Sequence, residues 1–433
     1  LGAAGEAANP QLRLPLKRAW SLPCDQRTRV FEPPADSPLQ GRIYLADEGM
    51  LEAVDVGNRG KSAWRRFTMG TVNRILFDKT TIILCSGREA RLGISSEERS
   101  MTAMAMDGQT GQLLWRLPVF GGAAGAVLAG GVLVVHDGET EIRAYDVTTG
   151  RLLWDRRAMC NLSARGWPVA PCVEAGQLHL FASRLHMTWP NGVADSRFDL
   201  KTGAMLPVQW LAKGDIISIA GRSGACVGAG EALVCVVGKN RDAAGHVYRY
   251  SLANGAVSEV PGVSRMWSLG SSYVMAGNED DHMRKLLKCD EPAHEYSFDA
   301  RKPFTFTDGI LVQAEGKSGW AVTDTARKRQ LATIEVAAGK IGTPGIIRLD
   351  EARILLHAAA ENEVILKEID RQSGKVTAEA SLPGLAGGHD VRAVSRGSAL
   401  LVHDAGGLHA FVADPSPPPP VPVSEPGPGT PRL

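Results

Sequence analysis

The chain has 433 residues, 44% of them apolar and 22% charged, and its 48 Lys plus Arg nearly cancel 47 Asp plus Glu to leave a formal net charge of +1. This composition excludes wholesale disorder and a collagen-like repeat, and near-neutrality gives no global attraction to nucleic acid or anionic lipid. The longest uncharged apolar run, Gly121 to Val135, is too short for a bilayer and is broken by glycine pairs, so it predicts two strands around a turn, with no transmembrane segment.

The first residue is Leu1, with no basic-then-apolar leader, which predicts a trimmed chain, a mature product or part of a longer polypeptide. Residues 1–11 are expected to be a flexible N-terminus. Next comes Leu14 to Leu22 (LPLKRAWSL), a strand-like segment carrying Trp20. A first hairpin follows from Val54-Asp55 to Gly60 and Trp64. Two further segments align without gaps, Ala105 to Trp115 (AMDGQTGQLLW) and Ala144 to Trp154 (AYDVTTGRLLW), both of the form A-x-D-x-x-T-G-x-L-L-W. An alternating strand, a tight turn closed by Asp and Thr-Gly, and a second strand ending in Trp make this a β-hairpin written twice. Weaker copies begin at Phe198, Tyr250 and Ile369. Before each hairpin lie two more short apolar runs, as in Gly125 to Ala129 and Val132 to His136, so each unit should hold four strands.

Third strands are expected to end near Asp55, Asp107, Asp146, Asp199, Ser251, Asp290, Asp324, Asp370 and Asp414. Their mean spacing of about 45 residues, with helical periodicity nowhere sustained, is that of propeller blades. The fold class expected is all-β: a single closed β-propeller of four-stranded blades spanning residues 12–413. The third strands number nine; eight blades follow if the weak unit within Gly262 to Phe304 is misread, and eight is narrowly preferred. The last unit lacks a fourth strand, which the Leu14 to Leu22 segment should supply, joining the last blade to the first and removing open edges. Residues 414–433 are rich in Pro, with Ser and Gly, and predict a disordered tail, a tether or a ligand for a peptide-binding domain.

The A-x-D-x-x-T-G-x-x-x-W repeat resembles that of pyrroloquinoline-quinone-type propellers. The resemblance implies that the Trp of one unit packs on a neighbouring blade, giving a structural motif of Trp20, Trp64, Asp107, Gly111, Trp115, Asp146, Gly150 and Trp154, with Trp210 as a further candidate. That superfamily holds quinoprotein alcohol dehydrogenases and also non-enzymatic relatives, such as the outer-membrane-protein assembly lipoprotein. The enzymatic branch typically has adjacent cysteines beside the quinone and a Glu, Asn and Asp set around Ca²⁺. Here no two cysteines are adjacent and that set does not map, so no cofactor is expected. Seven widely spaced cysteines, an odd number, favour a reducing compartment and hence the cytoplasm. The assembly-lipoprotein relatives make the periplasm the alternative.

Other motifs read as structure. The blade aspartates are turn residues; Glu279 to His282 lacks the alternating ligands of a calcium loop; Gly221 to Gly224 is an incomplete nucleophile turn. Arg65-Arg66, Arg156-Arg157 and Arg327-Lys328-Arg329 read as solvated faces, not phosphate contacts. More informative are four long connections between second and third strands, Gly87 to Ser100, Arg184 to Gly192, Lys239 to His246 and Asn278 to Met283, which a propeller displays on one face. Candidate partner-binding residues there are Arg88, Arg91, Arg99, Met187, Trp189, Arg241, Asp280 and His282. The function expected is a non-catalytic protein-interaction scaffold or sensor within a larger assembly, binding protein through one face and no nucleic acid. The alternative is a quinone-dependent dehydrogenase, or a small-molecule or carbohydrate sensor, using the central channel.

Overall fold

The computed structural model describes residues 12–414 except 26, 35, 88–99, 121–125, 137–140, 158–170, 185–191, 214–215, 220–224, 229, 239–244, 270–272, 279–281, 316–318, 336–343, 360–362, 386–390 and 397. Among these residues every regular element is a strand, and no helix is long and apolar enough to cross a membrane.

The strands form nine antiparallel sheets that follow one another along the chain. β1 (Leu16–Leu22) comes first and is claimed by the last sheet. Blade 1 holds β2 (Arg29–Phe31), β3 (Arg42–Asp47), β4 (Met50–Asp55) and β5 (Lys61–Phe67); blade 2 holds β6 (Val72–Asp78), β7 (Thr81–Gly87), β8 (Ser100–Asp107) and β9 (Leu113–Phe120). Blade 3 holds β10 (Ala126–Ala129), β11 (Val132–His136), β12 (Glu141–Asp146) and β13 (Leu152–Arg157); blade 4 holds β14 (Cys172–Glu174), β15 (Gln177–Arg184), β16 (Gly192–Asp199) and β17 (Gln209–Lys213). In blade 5 the first position is split, with β18 (Ile216–Ile219) and β19 (Ala225–Gly228) both pairing β20 (Glu231–Gly238), followed by β21 (His246–Ser251) and β22 (Val257–Val260). Blade 6 holds β23 (Arg265–Ser268), β24 (Tyr273–Gly277), β25 (Met283–Lys288) and β26 (Glu291–Asp299). Blade 7 holds β27 (Phe304–Thr307), β28 (Ile310–Glu315), β29 (Gly319–Asp324) and β30 (Arg329–Glu335). Blade 8 holds β31 (Gly345–Arg348), β32 (Arg353–Ala359), β33 (Glu363–Asp370) and β34 (Val376–Pro383). Blade 9 holds β35 (Arg392–Arg396), β36 (Ala399–Asp404) and β37 (Gly407–Ala413), with β1 as its fourth strand.

The count is therefore nine, and the unit within Gly262 to Phe304 that sequence left in doubt is a complete blade. First strands of successive blades approach one another, as β6 does β10 and β27 does β31, so they lie innermost and the fourth strands form the rim. The chain alternates direction within each blade. Second-to-third connections and blade-to-blade connections thus emerge on one face, and the Asp-to-Gly turns on the other.

The core is divided among the blade interfaces. Among the described residues nine apolar clusters are found, each joining one blade to the next, because a single sheet cannot cover both of its own faces. The ring closes through Ile43, Leu45 and Val54 of blade 1 against Leu401, Leu408 and Ala410 of blade 9.

In blades 2, 3, 4 and 8 the hairpin turn is built by its Asp. The Asp146 carboxylate accepts the backbone N–H and the hydroxyl of Thr149, both at 2.8 Å, and the Gly150 N–H returns to the Asp146 carbonyl at 2.8 Å. Gly150 then takes φ 69°, and the Trp115 ring of blade 2 lies where its Cβ would be, at 2.7 Å from Cγ, while the indole N–H donates to the Val147 carbonyl at 2.7 Å. Trp64 sits in the same way on Gly111, Trp154 on Gly203, and Trp20 of β1 on Gly60. An alanine at position 150 therefore meets two penalties, left-handed strain of about 1–2 kcal/mol and displacement of the indole. Gly131 has φ 75° but nothing within 4 Å of its Cβ position. Gly150→Ala is expected to lower the urea midpoint markedly more than Gly131→Ala, as measured by equilibrium unfolding monitored by tryptophan fluorescence.

Candidate partner-binding face

The residues proposed to bind partners divide sharply. Arg88, Arg91, Arg99, Met187, Trp189, Arg241 and Asp280 lie outside the described residues. His282 is described: it is exposed at the start of β25, and its carbonyl accepts the Ala300 N–H at 2.9 Å.

On that same face the structure shows apolar side chains that sequence reasoning missed. Phe67 at the end of β5 is 84% exposed and Met69 is 51% exposed. The segment is fixed, since the Thr68 N–H donates to the Gly49 carbonyl at 2.7 Å and the Thr68 hydroxyl to the Gly70 carbonyl at 2.9 Å. Met283 adds a third exposed apolar group on this face at blade 6. Sequence showed two large apolar residues after the Trp64 strand, but not that they stand at and beyond its end. Isolated exposed apolar residues are ordinary, but an exposed Phe on a paired strand end beside a second apolar residue is of the kind that fills a partner's pocket.

The arginines near these hairpins are not simply solvated, as sequence suggested. Arg66 donates through Nε to the Gly111 carbonyl at 2.9 Å, Arg156 to the Gly203 carbonyl at 2.9 Å, and Arg329 to the Arg371 and Gln372 carbonyls at 2.7 Å each. Each reaches the turn of the following blade and supplies donors to carbonyls that the tight turn leaves unpaired. Arg65 remains at the surface, 2.8 Å from Glu52, an exposed pair of small energetic consequence. Trp210 does not take the expected role either, since Gln209 is the side chain against Gly255.

A buried polar cluster was also invisible to sequence reasoning. His179 Nδ1 lies 2.7 Å from Asp195 Oδ2, and the Tyr250 hydroxyl donates to the same oxygen at 2.9 Å, across the interface of blades 4 and 5. His179 and Asp195 are essentially unexposed, so the cluster ties two blades and cannot meet a partner. Burial, then the Asp195 charge, pushes the Tyr250 hydroxyl above the usual phenol range.

Among the described residues no group of three or more His, Cys, Asp or Glu is placed to hold a metal ion. Residues 41–187 match the family model described as outer membrane protein assembly factor BamB, a segment running from blade 1 into blade 4 that contains Phe67, Met69 and the two clean repeats. A search of curated protein sequences finds no match. Among solved structures, BamB from Moraxella catarrhalis aligns with TM-score 0.43 and 14% identity over 93% of this chain and 98% of its own. Apo AztD from Citrobacter koseri aligns with TM-score 0.43 and 13% identity over 79% and 95%, and the quinohemoprotein alcohol dehydrogenase from Comamonas testosteroni with 0.46 and 14% over 95% and 78%. None of these TM-scores reaches 0.5, and the three likenesses carry no functional weight.

The turn and core ionisable groups give the molecule a defined acid response. Hydrogen bonds from Thr149, Thr202 and Ser373 hold Asp146, Asp199 and Asp370 below the usual carboxylate range, so their contribution is present above about pH 4 and fades below it. His357 on β32 behaves differently: burial pushes its pKa down from 6.5 to about 4. As pH falls from 6.5 the unfolded chain takes up a proton that the folded chain refuses until about pH 4, so stability is lost across that window. His357→Gln is expected to flatten the pH dependence of the unfolding midpoint between pH 6.5 and 4 while leaving the decline below pH 4, as read by thermal unfolding at a series of pH values.

Proposed function

We propose that this propeller is a protein-interaction scaffold that engages its partner through the face bearing the long second-to-third-strand connections, as one module of a larger assembly. The observation that carries this reading is Phe67, 84% exposed on a strand end that two backbone-anchored contacts hold still, with Met69 beside it. Burying a large apolar side chain that stands in water is worth about 1.5–3 kcal/mol. The match of residues 41–187 to an assembly-factor family supports the same reading, because it includes this anchor and the insertion in blade 2.

A partner with an apolar pocket suits the Phe67 and Met69 pair. Affinity purification of the native-level protein, followed by mass spectrometry, identifies the partner. Recovery of that partner is expected to fall at least tenfold for the Phe67→Asp, Met69→Asp double variant, whereas Leu152→Asp, on the opposite face, leaves it unchanged. Equal recovery with both variants would remove this face from consideration.

A further inference from the structure

The closing blade carries a second arrangement, independent of the partner-binding reading. Ser21 on β1 and His409 on β37 face each other across the ladder, although 388 residues separate them in the chain. His409 Nδ1 lies 2.8 Å from Ser21 Oγ, and its Nε2 lies 3.1 Å from Asp404 Oδ1. The same Asp404 oxygen accepts the N–H groups of Gly406 at 2.7 Å and Gly407 at 3.0 Å, which fixes the carboxylate within the β36–β37 turn. Asp404 and His409 are 4% and 8% exposed, while Ser21 is exposed.

These contacts determine the protons. An ionised carboxylate only accepts, so the neutral imidazole carries its proton on Nε2 and directs it to Asp404. Nδ1 then presents a lone pair to the Ser21 hydroxyl. A nucleophile within hydrogen-bond reach of a base, with the base oriented by a third group, is the signature of an activated hydroxyl, and it is recognised by geometry and roles, not by order in the chain.

We propose that Ser21 is an acyl-accepting nucleophile, with His409 as its general base and Asp404 as the residue that orients the imidazole. Ser21 Oγ attacks the carbonyl carbon of a carboxylic ester as its proton passes to His409 Nδ1. The bond from that carbon to the alcohol oxygen breaks, the departing oxygen takes the proton from Nδ1, and Ser21 is left acylated. Water then attacks the acyl carbon, gives a proton to Nδ1, and the carboxylic acid leaves as Oγ recovers that proton. The outermost strand places Ser21 in solvent, so the substrate class is carboxylic esters whose carbonyl is unhindered. Cys24, three residues further on, does not compete: burial and the Asp404 charge push its thiol up to about 11, so it stays protonated near neutrality.

The test treats the full chain with a fluorophosphonate and, separately, with p-nitrophenyl acetate, and maps adducts by peptide mass spectrometry. One adduct on Ser21 is expected, forming faster than on the other surface serines. Ester hydrolysis is expected to vanish in Ser21→Ala, which trims an exposed side chain, and labelling to slow by about 100-fold or more in His409→Gln. Ser21→Cys provides a second reading that keeps the imidazole, since iodoacetamide should alkylate position 21 at a pH where Cys24 is untouched. Labelling of Ser21 no faster than other surface serines, labelling unchanged in His409→Gln, or hydrolysis surviving Ser21→Ala would overturn the assignment and leave the three residues as a fastener for β1.

Discussion

The ring depends on an aromatic ring lying where a side chain would otherwise be. In four successive interfaces an indole from the fourth strand of one blade covers the turn glycine of the next: Trp20 on Gly60, Trp64 on Gly111, Trp115 on Gly150 and Trp154 on Gly203. Only glycine permits this, because the turn needs φ near 70° and because the space above Cα belongs to the neighbour. The turn Asp fixes that geometry from inside the blade, and the indole N–H fixes it from outside. Local conformation and inter-blade packing are thus satisfied by the same few residues, which makes each clean repeat both a hairpin and a joint.

Away from these four interfaces the joint is made by other chemistry. Gln209 replaces the indole over Gly255, and at Gly374 the approaching group is the Leu331 backbone carbonyl. Arginines take over part of the fastening: Arg249 reaches the Cys289 carbonyl, and Arg329 bridges to the turn of blade 8. His179, Asp195 and Tyr250 fasten blades 4 and 5 from within. Buried polar networks of this kind add little net stability against an apolar core of equal volume, but leaving one member unpaired is costly, so they hold register. The ring of nine blades is therefore heterogeneous in what joins it.

That heterogeneity explains what could be read from the sequence. Two gap-free copies of A-x-D-x-x-T-G-x-L-L-W were enough to give the hairpin, the spacing and the closing strand with Trp20, because local turn chemistry and Trp position are encoded within about ten residues. Blade 6 was hard to read because its third-to-fourth turn, Cys289-Asp290, carries neither Thr-Gly nor a following Trp. Arg66 and Arg156 looked solvated because their acceptors are carbonyls of the next blade, about 45 residues on, and backbone acceptors leave no mark in a sequence. Ser21, His409 and Asp404 were illegible for a stronger reason, since only ring closure brings β1 to β37. The proposed binding loops were legible as insertions, but Phe67 and Met69 required knowledge of where β5 ends.

Closure also links the two proposals on physical grounds. β1 is the outermost strand of blade 9, and its Trp20 docks on blade 1, the blade that presents Phe67. Ser21, the turn at Asp404 and Phe67 therefore lie at the same end of adjacent blades, with Ser21 equivalent in the repeat to Arg65. A partner seated on Phe67 and Met69 would extend toward Ser21 across a single interface, held by Ile43, Leu45 and Val54 against Leu401, Leu408 and Ala410. Substituting Leu401 with alanine in that interface should cost about 2–5 kcal/mol. It would loosen both features together, whereas the surface substitutions act on one at a time. The proposed binding and the proposed nucleophile chemistry should therefore be separable by mutation at the surface and inseparable in the core.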